Sequence, residues 1–326
     1  MNAWLERVWY GGGAGGLLLR PLALLFGAVV AIRRYLYRSG RLRALPCGRP
    51  VVVVGNLTVG GSGKTPLIAW LAVQLAARGI RVGIVSRGYG GSSTGLLRVL
   101  PATDPRVAGD EPVLLAQRTQ VPVAIGRDRV TAARLIGPEV DLVLADDGLQ
   151  HYRLARDLEI LVVDGTRRFG NGRLLPAGPL REPVARGARA DFVIVNGGAP
   201  RAGELAMALR PTAVVELGSE RRLLLSEFAG RRVHAVAGIG NPASFFATLR
   251  AAGIAPVEHP FPDHAVLRPA DVAFGDGLAV LMTEKDAVKC AAFPRAGLYW
   301  LEVEAELGTD DAARLVGRLV ALAHGA

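Results

Sequence analysis

The sequence predicts an α/β protein in which a mostly parallel sheet is flanked by helices. Three observations lead to this prediction. Four consecutive valines, at 51–54, run into a glycine-rich loop that ends in Gly-Lys-Thr-Pro at 63–66. Short apolar runs then alternate with segments of helical periodicity, which is the pattern of strand–helix–strand units. One of these runs, at 142–145, ends in paired aspartates, as expected where a strand meets the binding edge of such a sheet.

The chain is long enough for one large or two moderate domains, and three parts are predicted along it. Residues 1–45 form a basic, apolar segment, 46–225 form the core domain, and 226–326 form a smaller α/β domain. Half of the 326 residues are hydrophobic, which is enough for a sizeable core. Cys47 and Cys290 fit no metal-binding spacing, and reduced thiols in the cytosol are their expected state.

The N-terminal segment combines positive charge with apolar length. Residues 1–49 hold eight arginines and one acid, so they carry +7 of the chain's net charge of +10. Between the arginines lies an apolar stretch at 15–32 that Arg20 and Pro21 interrupt. Such a segment is typical of a helix lying on anionic lipid, although a helix packed on the domain or a full bilayer span would also fit. A signal peptide is not expected, and neither is a nucleic-acid partner, because the arginines border an apolar block.

The glycine-rich loop has the features of a phosphate-binding loop. Gly60, Gly61 and Gly63 allow a tight turn with uncovered N–H groups, and a helix is expected to begin at Lys64. The P-loop pattern G-x-x-x-x-G-K-[ST] is matched except at its first glycine position, which holds Thr58. An ordinary strand-to-helix turn is the alternative. The expected nucleotide-binding residues are Thr58, Val59, Gly60, Gly61, Ser62, Gly63, Lys64 and Thr65.

Lysine is rare in this chain. Lys64, Lys285 and Lys289 are the three lysines among 39 basic residues, so arginine is the usual cation. A lysine at the loop therefore indicates that a compact ammonium is needed there.

Hydrophobic runs and helical spacing predict the other elements in order. In the first 225 residues, strands are expected at 51–55, 81–86, 121–125, 140–145, 158–163, 191–196 and 212–217. Helices are expected near 64–78, 112–119, 127–136 and 202–209, and a long ordered loop at 170–187. The C-terminal part is expected to contain strands at 233–237, 278–283 and 298–303 and helices at 242–252, 286–292 and 309–323.

The paired aspartates indicate a metal site beside the loop. In a sheet with a P-loop, an aspartate at the carboxyl end of a neighbouring strand holds Mg²⁺ or its water. Asp146 and Asp147 fit that role, together with the hydroxyl of Thr65. A strand-ending turn is the alternative, since Asp-Asp-Gly is also turn chemistry. His151, a few residues later, could orient a phosphate or cap the turn.

Basic and aromatic side chains end two further strands at the same predicted edge. Arg87 and Tyr89 follow the strand at 81–86, and Arg127 and Arg129 follow the next one. Because ligands bind at the carboxyl edge of open α/β sheets, these arginines indicate an anionic substrate. A solvated surface is the alternative.

Asp110, Glu111 and His264 have ordinary structural explanations in their local sequence. The two acids precede an apolar helix, where an N-cap and an acidic first turn are expected. His264 follows an acid in a proline-bounded loop, where a structural role is expected. The segment Thr-Glu-Lys-Asp at 283–286 has the wrong spacing for the guanine-reading Asn-Lys-x-Asp motif.

Seven stretches, taken together and in order, resemble the tetraacyldisaccharide 4′-kinase family, the lipid A kinases of Gram-negative bacteria. They are VGNLTVGGSGKTP, SRGYG, GDEP, DDGLQH, LLPAGPLREP, FPDH and TEKDAVK, all within residues 51–289. The resemblance covers nearly the whole chain, and the family also has a threonine at the place of Thr58. It implies a P-loop NTPase core, a smaller C-terminal α/β domain and an amphiphilic N-terminal helix.

The resemblance also implies an activity and a set of site residues. The γ-phosphoryl group of ATP would pass, with Mg²⁺, to the 4′-hydroxyl of a tetraacylated glucosamine disaccharide 1-phosphate, giving lipid IV-A. The family's base matches Asp110, assisted by the histidine that matches His264, and Lys64 and Asp147 would complete the catalytic set. The residues expected on the substrate side are Arg87, Tyr89, Glu111, Arg127, Arg129 and His151.

An enzyme of this kind would work at the cytoplasmic face of the bacterial inner membrane, on an anionic lipid surface, with no protein partner evident. Two other function classes stay open. One is a P-loop switch of the metal-insertion or partitioning type, which the sequence disfavours because it has no Asn-Lys-x-Asp motif and no Cys/His cluster. The other is a non-catalytic membrane scaffold, which the intact Gly-Lys-Thr and the acidic pair disfavour.

Overall fold

A computed structural model describes residues 3–11, 14–219, 221–293 and 297–325. These residues form one mostly parallel sheet of 13 strands that is flanked by helices, which confirms the predicted α/β class. The strands are β1 Val51–Gly55, β2 Val82–Ser86, β3 Leu97–Val99, β4 Val123–Ile125, β5 Leu142–Asp146, β6 Leu158–Asp164, β7 Phe192–Asn196, β8 Leu205–Glu216, β9 Arg222–Leu223, β10 Arg232–Ala237, β11 Ala255–Pro260, β12 Val280–Thr283 and β13 Leu298–Leu307. The helices are α1 Ala3–Tyr10, α2 Arg20–Arg38, α3 Lys64–Ala76, α4 Pro105–Ala108, α5 Asp110–Thr119, α6 Arg129–Ile136, α7 Pro242–Ala251, α8 Glu284–Lys289 and α9 Thr309–His324.

The centre of the sheet carries the loops that build the site. Strand β1 pairs in parallel with β5 on one side and β6 on the other, and β2 pairs in parallel with β5 and β4. The valines of β1 are fully buried because both faces of the sheet are covered. Leu67 and Leu71 of α3 belong to the core on one face, and Ile136 of α6 belongs to the core on the other. The carboxyl ends of these parallel strands therefore meet at one edge.

The helix predicted at 202–209 is wrong. Most of these residues belong to β8, a 12-residue strand that also includes most of the strand predicted at 212–217. Strand β8 pairs in parallel with β7 and antiparallel with β13, so tertiary pairing outweighs the local helical spacing. The edge strands β3 and β11 are also absent from the predicted elements, and α8 ends at Lys289, earlier than expected.

The pairing of β8 with β13 joins the two parts of the chain in one sheet. Strand β8 begins level with the end of β7, where Asn196 pairs with Met207, and then runs on past that edge. Strand β13 runs back along it, with Tyr299 opposite Glu216 and Leu307 opposite Met207. Because β10 and β12 are parallel to β13, the carboxyl ends of the C-terminal strands point towards the carboxyl edge of the core. The exact domain boundaries stay a prediction.

The two N-terminal helices differ in their surroundings. In α1, Trp9 is buried and its Nε1–H donates to Pro176 O at 2.9 Å. In α2, by contrast, Leu22, Leu25 and Val29 are each more than half exposed. The predicted amphiphilic helix is therefore present as α2. None of the helices in the described ranges combines the length and the apolar composition needed to cross a bilayer.

Candidate active site

The turn between β1 and α3 has the geometry of a phosphate cradle. Gly60 and Gly63 have φ angles of +110° and +90°, in the left-handed region that favours glycine. A Cβ at Gly63 would lie 2.5 Å from Asn196 Nδ2, so the loop has no room for a side chain there. Lys64 begins α3, directly after the turn. Uncovered N–H groups and the positive end of the helix dipole therefore converge on one point, which suits a phosphate chain.

The paired aspartates lie beside this cradle because β5 pairs with β1. Val54 of β1 is the register partner of Asp146, the last residue of β5. Asp146 is buried and its Oδ2 accepts a hydrogen bond from Ser86 Oγ at 3.1 Å. Asp147 follows with a φ of +47°, and its Oδ1 lies 3.7 Å from Lys64 Nζ. Arg181 Nη1 donates to Asp147 Oδ2 at 2.6 Å.

The two adjacent carboxyls have opposite pKa shifts. Burial, with the charges of Glu111 and Asp147, raises the pKa of Asp146 to about 7. Burial also acts to raise the pKa of Asp147, but the charges of Lys64 and Arg181 and the Arg181 hydrogen bond lower it well below its usual range. One carboxyl is therefore anionic at neutral pH while its neighbour is close to its titration point.

The acidic pair has the donor set that a magnesium ion prefers. The Oδ1 atoms of Asp146 and Asp147 are both buried and have no hydrogen-bond partner among the residues the structure describes. Carboxylate oxygens are the preferred ligands of hard divalent cations, and Thr65, in the first turn of α3, is the hydroxyl residue that the P-loop pattern assigns to the same ion. These residues therefore fit Mg²⁺.

Asp110 and His264 form a second pair, although 154 positions separate them in sequence. His264 Nδ1 lies 3.1 Å from Asp110 Oδ1 and 3.2 Å from Oδ2. Asp110 begins α5 after Gly109, whose φ is +92° and whose missing Cβ leaves room for Tyr89 O. The Tyr89 ring packs edge-on against the His264 imidazole, with 4.8 Å between centroids. A buried carboxylate paired with an imidazole can accept a proton from a hydroxyl.

The two lysines outside the P-loop both lie at this pair. Lys285 Nζ lies 2.9 Å from Glu111 Oε1, 3.0 Å from Asp263 Oδ1 and 3.4 Å from His264 Nε2. Lys289 Nζ lies 3.6 Å from Asp110 Oδ2. Every lysine of the sequence is therefore in contact with a carboxylate of the site, whereas almost all of the 36 arginines are not.

The lysines and the pair shift each other's pKa values. Burial acts to raise the pKa of Asp110, but the His264 hydrogen bond and the charges of Lys285, His264 and Lys289 lower it to about 2. Burial and the charge of Lys285 act to lower the pKa of His264, but the hydrogen bond to Asp110 and the charges of Asp110 and Asp263 together outweigh them, so the pKa is raised. Burial also acts to lower the pKa of Lys285. The carboxylates of Glu111, Asp110 and Asp263 outweigh burial, so the pKa is raised.

The other predicted residues lie at the same edge but differ in exposure. Arg87 and Arg127 are exposed, and the described residues provide neither with a hydrogen bond or ion pair. Arg129 is 6% exposed, and burial lowers its pKa. His151 keeps a buried Nε2 without a partner among the described residues, and burial, with the charges of Arg129 and Arg156, lowers its pKa to about 4. His151 is therefore neutral at pH 7.

Arg181 and the two lysines outside the P-loop contact the site but are missing from the predicted site residues. Arg181, which binds Asp147, lies in the loop predicted at 170–187. The one feature of the sequence that pointed to this residue was the Leu-Arg-Glu-Pro stretch at 180–183, which the family resemblance includes. Lys285, which binds Glu111, could have been found from the rarity of lysine.

A loop of the C-terminal part also lies directly on the cradle. A Cβ at Gly240 would be 2.1 Å from Gly61 N, so the two backbones are in contact. Arg167 Nη1 donates to Gly240 O at 3.0 Å, and Asn241 Nδ2 donates to Asp164 Oδ2 at 3.3 Å. The site therefore takes residues from both parts of the chain.

A phosphate cradle beside a carboxylate–imidazole pair can hold a phosphate donor while a proton is taken from an acceptor hydroxyl. This combination on a parallel sheet defines a P-loop phosphotransferase. The particular family follows from comparison with known proteins: the model of the tetraacyldisaccharide-1-P 4′-kinase (LpxK) family matches residues 16–321, and the chain belongs to this family.

Individual relatives agree with this assignment. The chain is 48% identical over 325 residues to a tetraacyldisaccharide 4′-kinase of Methylobacillus flagellatus, covering 98% of this chain and 97% of the relative. It is 51% identical over 321 residues to one from Azoarcus sp. strain BH72, covering 95% and 94%. The crystal structure of LpxK from Aquifex aeolicus in complex with ATP superposes with a TM-score of 0.78 at 30% identity, covering 94% of this chain and 99% of that one.

These comparisons confirm the predicted resemblance, the P-loop kinase fold and membership of the kinase family. The P-loop switch is therefore not favoured. The roles of the individual site residues stay predictions.

Proposed function

We propose that this protein transfers the γ-phosphoryl group of ATP to the 4′-hydroxyl of a tetraacyldisaccharide 1-phosphate, forming lipid IV-A. The observation that carries the proposal is the contact of Asp110 with His264 at the edge that also holds the P-loop. It is supported by relatives named for this activity and by a solved relative that contains ATP.

The cradle binds and orients the phosphates of ATP. Backbone N–H groups of the loop between Gly60 and Thr65 are available to the phosphate oxygens, since the Val59 N–H already donates to Pro179 O, and the Lys64 ammonium neutralises charge on the outer ones. Mg²⁺, held by Thr65, Asp146 and Asp147, would supply further positive charge at the transferred group. Arg181 keeps Asp147 ionised and oriented through its 2.6 Å hydrogen bond.

Asp110 accepts the proton of the acceptor hydroxyl as the new P–O bond forms. A sugar hydroxyl is a poor nucleophile, so a carboxylate within hydrogen-bond reach contributes directly to the rate. His264 holds this carboxylate in position and takes up part of the developing positive charge. Lys285 acts as a positioning residue, since its ammonium lies 3.4 Å from His264 Nε2 and opposes protonation of that ring.

The acceptor lies on the side of the site that carries the free guanidiniums. Arg87 and Arg127 are exposed and available to the phosphate of the disaccharide, whereas Arg129 is buried and His151 is half-buried. Tyr89 is 63% exposed beside His264 and offers a flat apolar surface to a sugar ring. Glu111, tied to Lys285, completes this side and accepts sugar hydroxyl hydrogen bonds.

An acylated substrate remains in a membrane, and α2 provides a surface for reaching it. Its apolar side chains face outwards, including Leu22, Leu25 and Val29, and Arg20 and Arg38 at its two ends are exposed. Such a helix lies in the interface of an anionic bilayer. We place the protein at the cytoplasmic face of the bacterial inner membrane, without a nucleic-acid or protein partner.

Lipid-dependent consumption of ATP tests this function. The variants Lys64→Ala and Asp110→Ala are expected to lower the rate by about 10²- to 10⁴-fold, because they remove phosphate neutralisation and the base. Arg314→Ala, on the exposed face of α9, is the matched control and is expected to retain activity. Turnover at the wild-type rate in both site variants would end the kinase proposal.

A further inference from the structure

Arg167 lies where three parts of the chain meet. Its Nη2 donates to Glu6 Oε1 of α1 at 2.7 Å, and its guanidinium lies over the Tyr10 ring, 5.1 Å from the centroid. Its Nη1 donates to Gly240 O, in the loop between β10 and α7, at 3.0 Å. The residue itself belongs to the turn that follows β6 in the core. One guanidinium therefore joins the N-terminal segment and a loop of the C-terminal part to the same point of the core.

The turn that carries Arg167 is fixed by its own hydrogen bonds. Asp164, the last residue of β6, accepts the backbone N–H groups of Thr166 and Arg167 through Oδ1, each at 2.9 Å. An aspartate that binds the N–H groups of the residues just after it stabilises a tight turn. Asp164 Oδ2 also accepts Asn241 Nδ2 at 3.3 Å, so the turn makes two separate hydrogen bonds to the C-terminal loop.

Helix α1 is fixed in the same way, by contacts that do not involve Arg167. Trp9 is 5% exposed, and its Nε1–H donates to Pro176 O at 2.9 Å. The backbone N–H of Asn171 donates to Trp9 O at 2.8 Å. The Glu6 carboxylate is therefore offered from an anchored helix, and its charge-assisted hydrogen bond orients the guanidinium.

The loop at 238–241 is fixed at its first residue and packs on the cradle further along. The Gly238 N–H donates to the fully buried carboxylate of Asp286 at 2.8 Å. A Cβ at Gly240 would lie 2.1 Å from Gly61 N, and a Cβ at Gly61 would lie 3.7 Å from Gly240 Cα. The glycine backbone of the cradle can adopt many conformations, of which phosphate binding needs one. A second backbone packed against it limits these conformations and so prepares the cradle for the ligand.

We infer, on the basis of the proposed binding of ATP at the cradle, that Arg167 is a positioning residue for the nucleotide. It holds the 238–241 loop on the cradle, and the loop keeps the glycine backbone in the conformation that binds the phosphates. Arg167 acts through Gly240 and needs no contact with ATP. Glu6 acts one step further out, because it orients the guanidinium. The N-terminal helix α1 thereby contributes to nucleotide affinity.

Isothermal titration of the full chain in detergent with ATP and Mg²⁺, without lipid, tests this role. Arg167→Met is expected to weaken ATP binding by about three- to tenfold, because it releases the loop from the turn. The matched control is Arg168→Met, at the next residue. The two arginine side chains are 18% and 17% exposed, but Arg168 pairs with Glu204, which precedes β8. This control is expected to bind ATP within about twofold of wild type.

Kinase kinetics and a double-mutant cycle separate positioning from a purely structural role. In Arg167→Met the KM for ATP is expected to rise, while kcat at saturating ATP is retained, because bound phosphates restore the cradle. Glu6→Gln is expected to weaken ATP binding in the wild-type background and to have no further effect in Arg167→Met, since it acts through that residue. A structural role would lower the melting temperatures without this coupling.

Each result decides for or against the role of Arg167. Equal ATP affinities in Arg167→Met and Arg168→Met would overturn it, and so would tighter binding in Arg167→Met, which would mean that the loop shields the cradle. If Arg167→Met does not fold, Asn241→Ala releases the loop from the same turn, and the same loss of affinity is expected. Wild-type protein that does not bind ATP at all would contradict the proposed function itself, whereas normal wild-type binding with unaffected variants would contradict the role of Arg167 alone.

Discussion

Lys285 contributes to the charge state of Asp110 and His264, the pair that we propose accepts the proton. Its ammonium is buried among Glu111, Asp263 and Asp110 and also lies 3.4 Å from His264 Nε2. A positive charge at that distance lowers the pKa of both the imidazole and the carboxylate. The residue therefore keeps the pair ready to accept a proton over a wider range of pH.

Replacing this charge should move the acid limb of the pH–rate profile. In Lys285→Met the pKa values of Asp110 and His264 both rise, so activity is lost at a higher pH as the solution is acidified. We expect a displacement of about one pH unit in kcat/KM. Lys285→Arg keeps the charge and should retain the wild-type limb. An unchanged limb in Lys285→Met, with lower activity at all pH values, would mean that the residue serves only packing.

Neutralising Asp146 and neutralising Asp147 should change the melting temperature in opposite directions. The folded-state pKa of Asp146, about 7, lies above its unfolded value, so its ionisation disfavours folding increasingly from about pH 4 to pH 7. Asp146→Asn should therefore raise the melting temperature at pH 8 by about 2–4 °C or more, and much less at pH 4. Asp147→Asn should lower it at pH 8, because Lys64 and Arg181 lose their partner. Melting in the presence of EDTA measures both, and stabilisation by both variants would contradict this assignment.

At the level of elements, local sequence predicted most strands and the two turns beside the cradle, but not the conformation of residues 202–209. The turn from β1 to α3 and the acids after β5 follow from glycines and from apolar runs that end in polar residues. The helix predicted at 202–209 is wrong because β8 takes its conformation from β7 and β13, which lie on either side of it. Such pairing partners are distant in sequence, and propensity contains no information about them.

The loop that follows β10 lies directly against the cradle. Gly240→Ala would place a Cβ within 2.1 Å of Gly61 N, so the loop or the cradle must shift. We expect a loss of about 1–3 kcal/mol in stability and weaker binding of ATP. Gly95→Ala is the control, since nothing lies within 4 Å of its added Cβ. Equal melting temperatures and equal ATP affinities in the two variants would contradict the contact.

At the scale of the whole molecule, the site exists because two sets of strands point their carboxyl ends at each other. Asp110 belongs to the first set and His264 to the second, and the antiparallel pair of β8 and β13 holds the two together. From its own neighbours in sequence, each residue has only an ordinary structural explanation. Its role came from resemblance to a family, since a contact across 154 positions depends on topology that local patterns do not contain.

The most direct test of the account is the fate of the acylated disaccharide itself. Purified wild-type protein is incubated with ATP, Mg²⁺ and tetraacyldisaccharide 1-phosphate in mixed micelles, and the lipid is analysed by mass spectrometry and ³¹P NMR. The proposed phosphoryl transfer gives a product heavier by one phosphoryl group, with a new phosphate monoester on the 4′-oxygen and an equal amount of ADP. Unchanged lipid, or ATP hydrolysed to inorganic phosphate at a rate independent of the lipid, would contradict it.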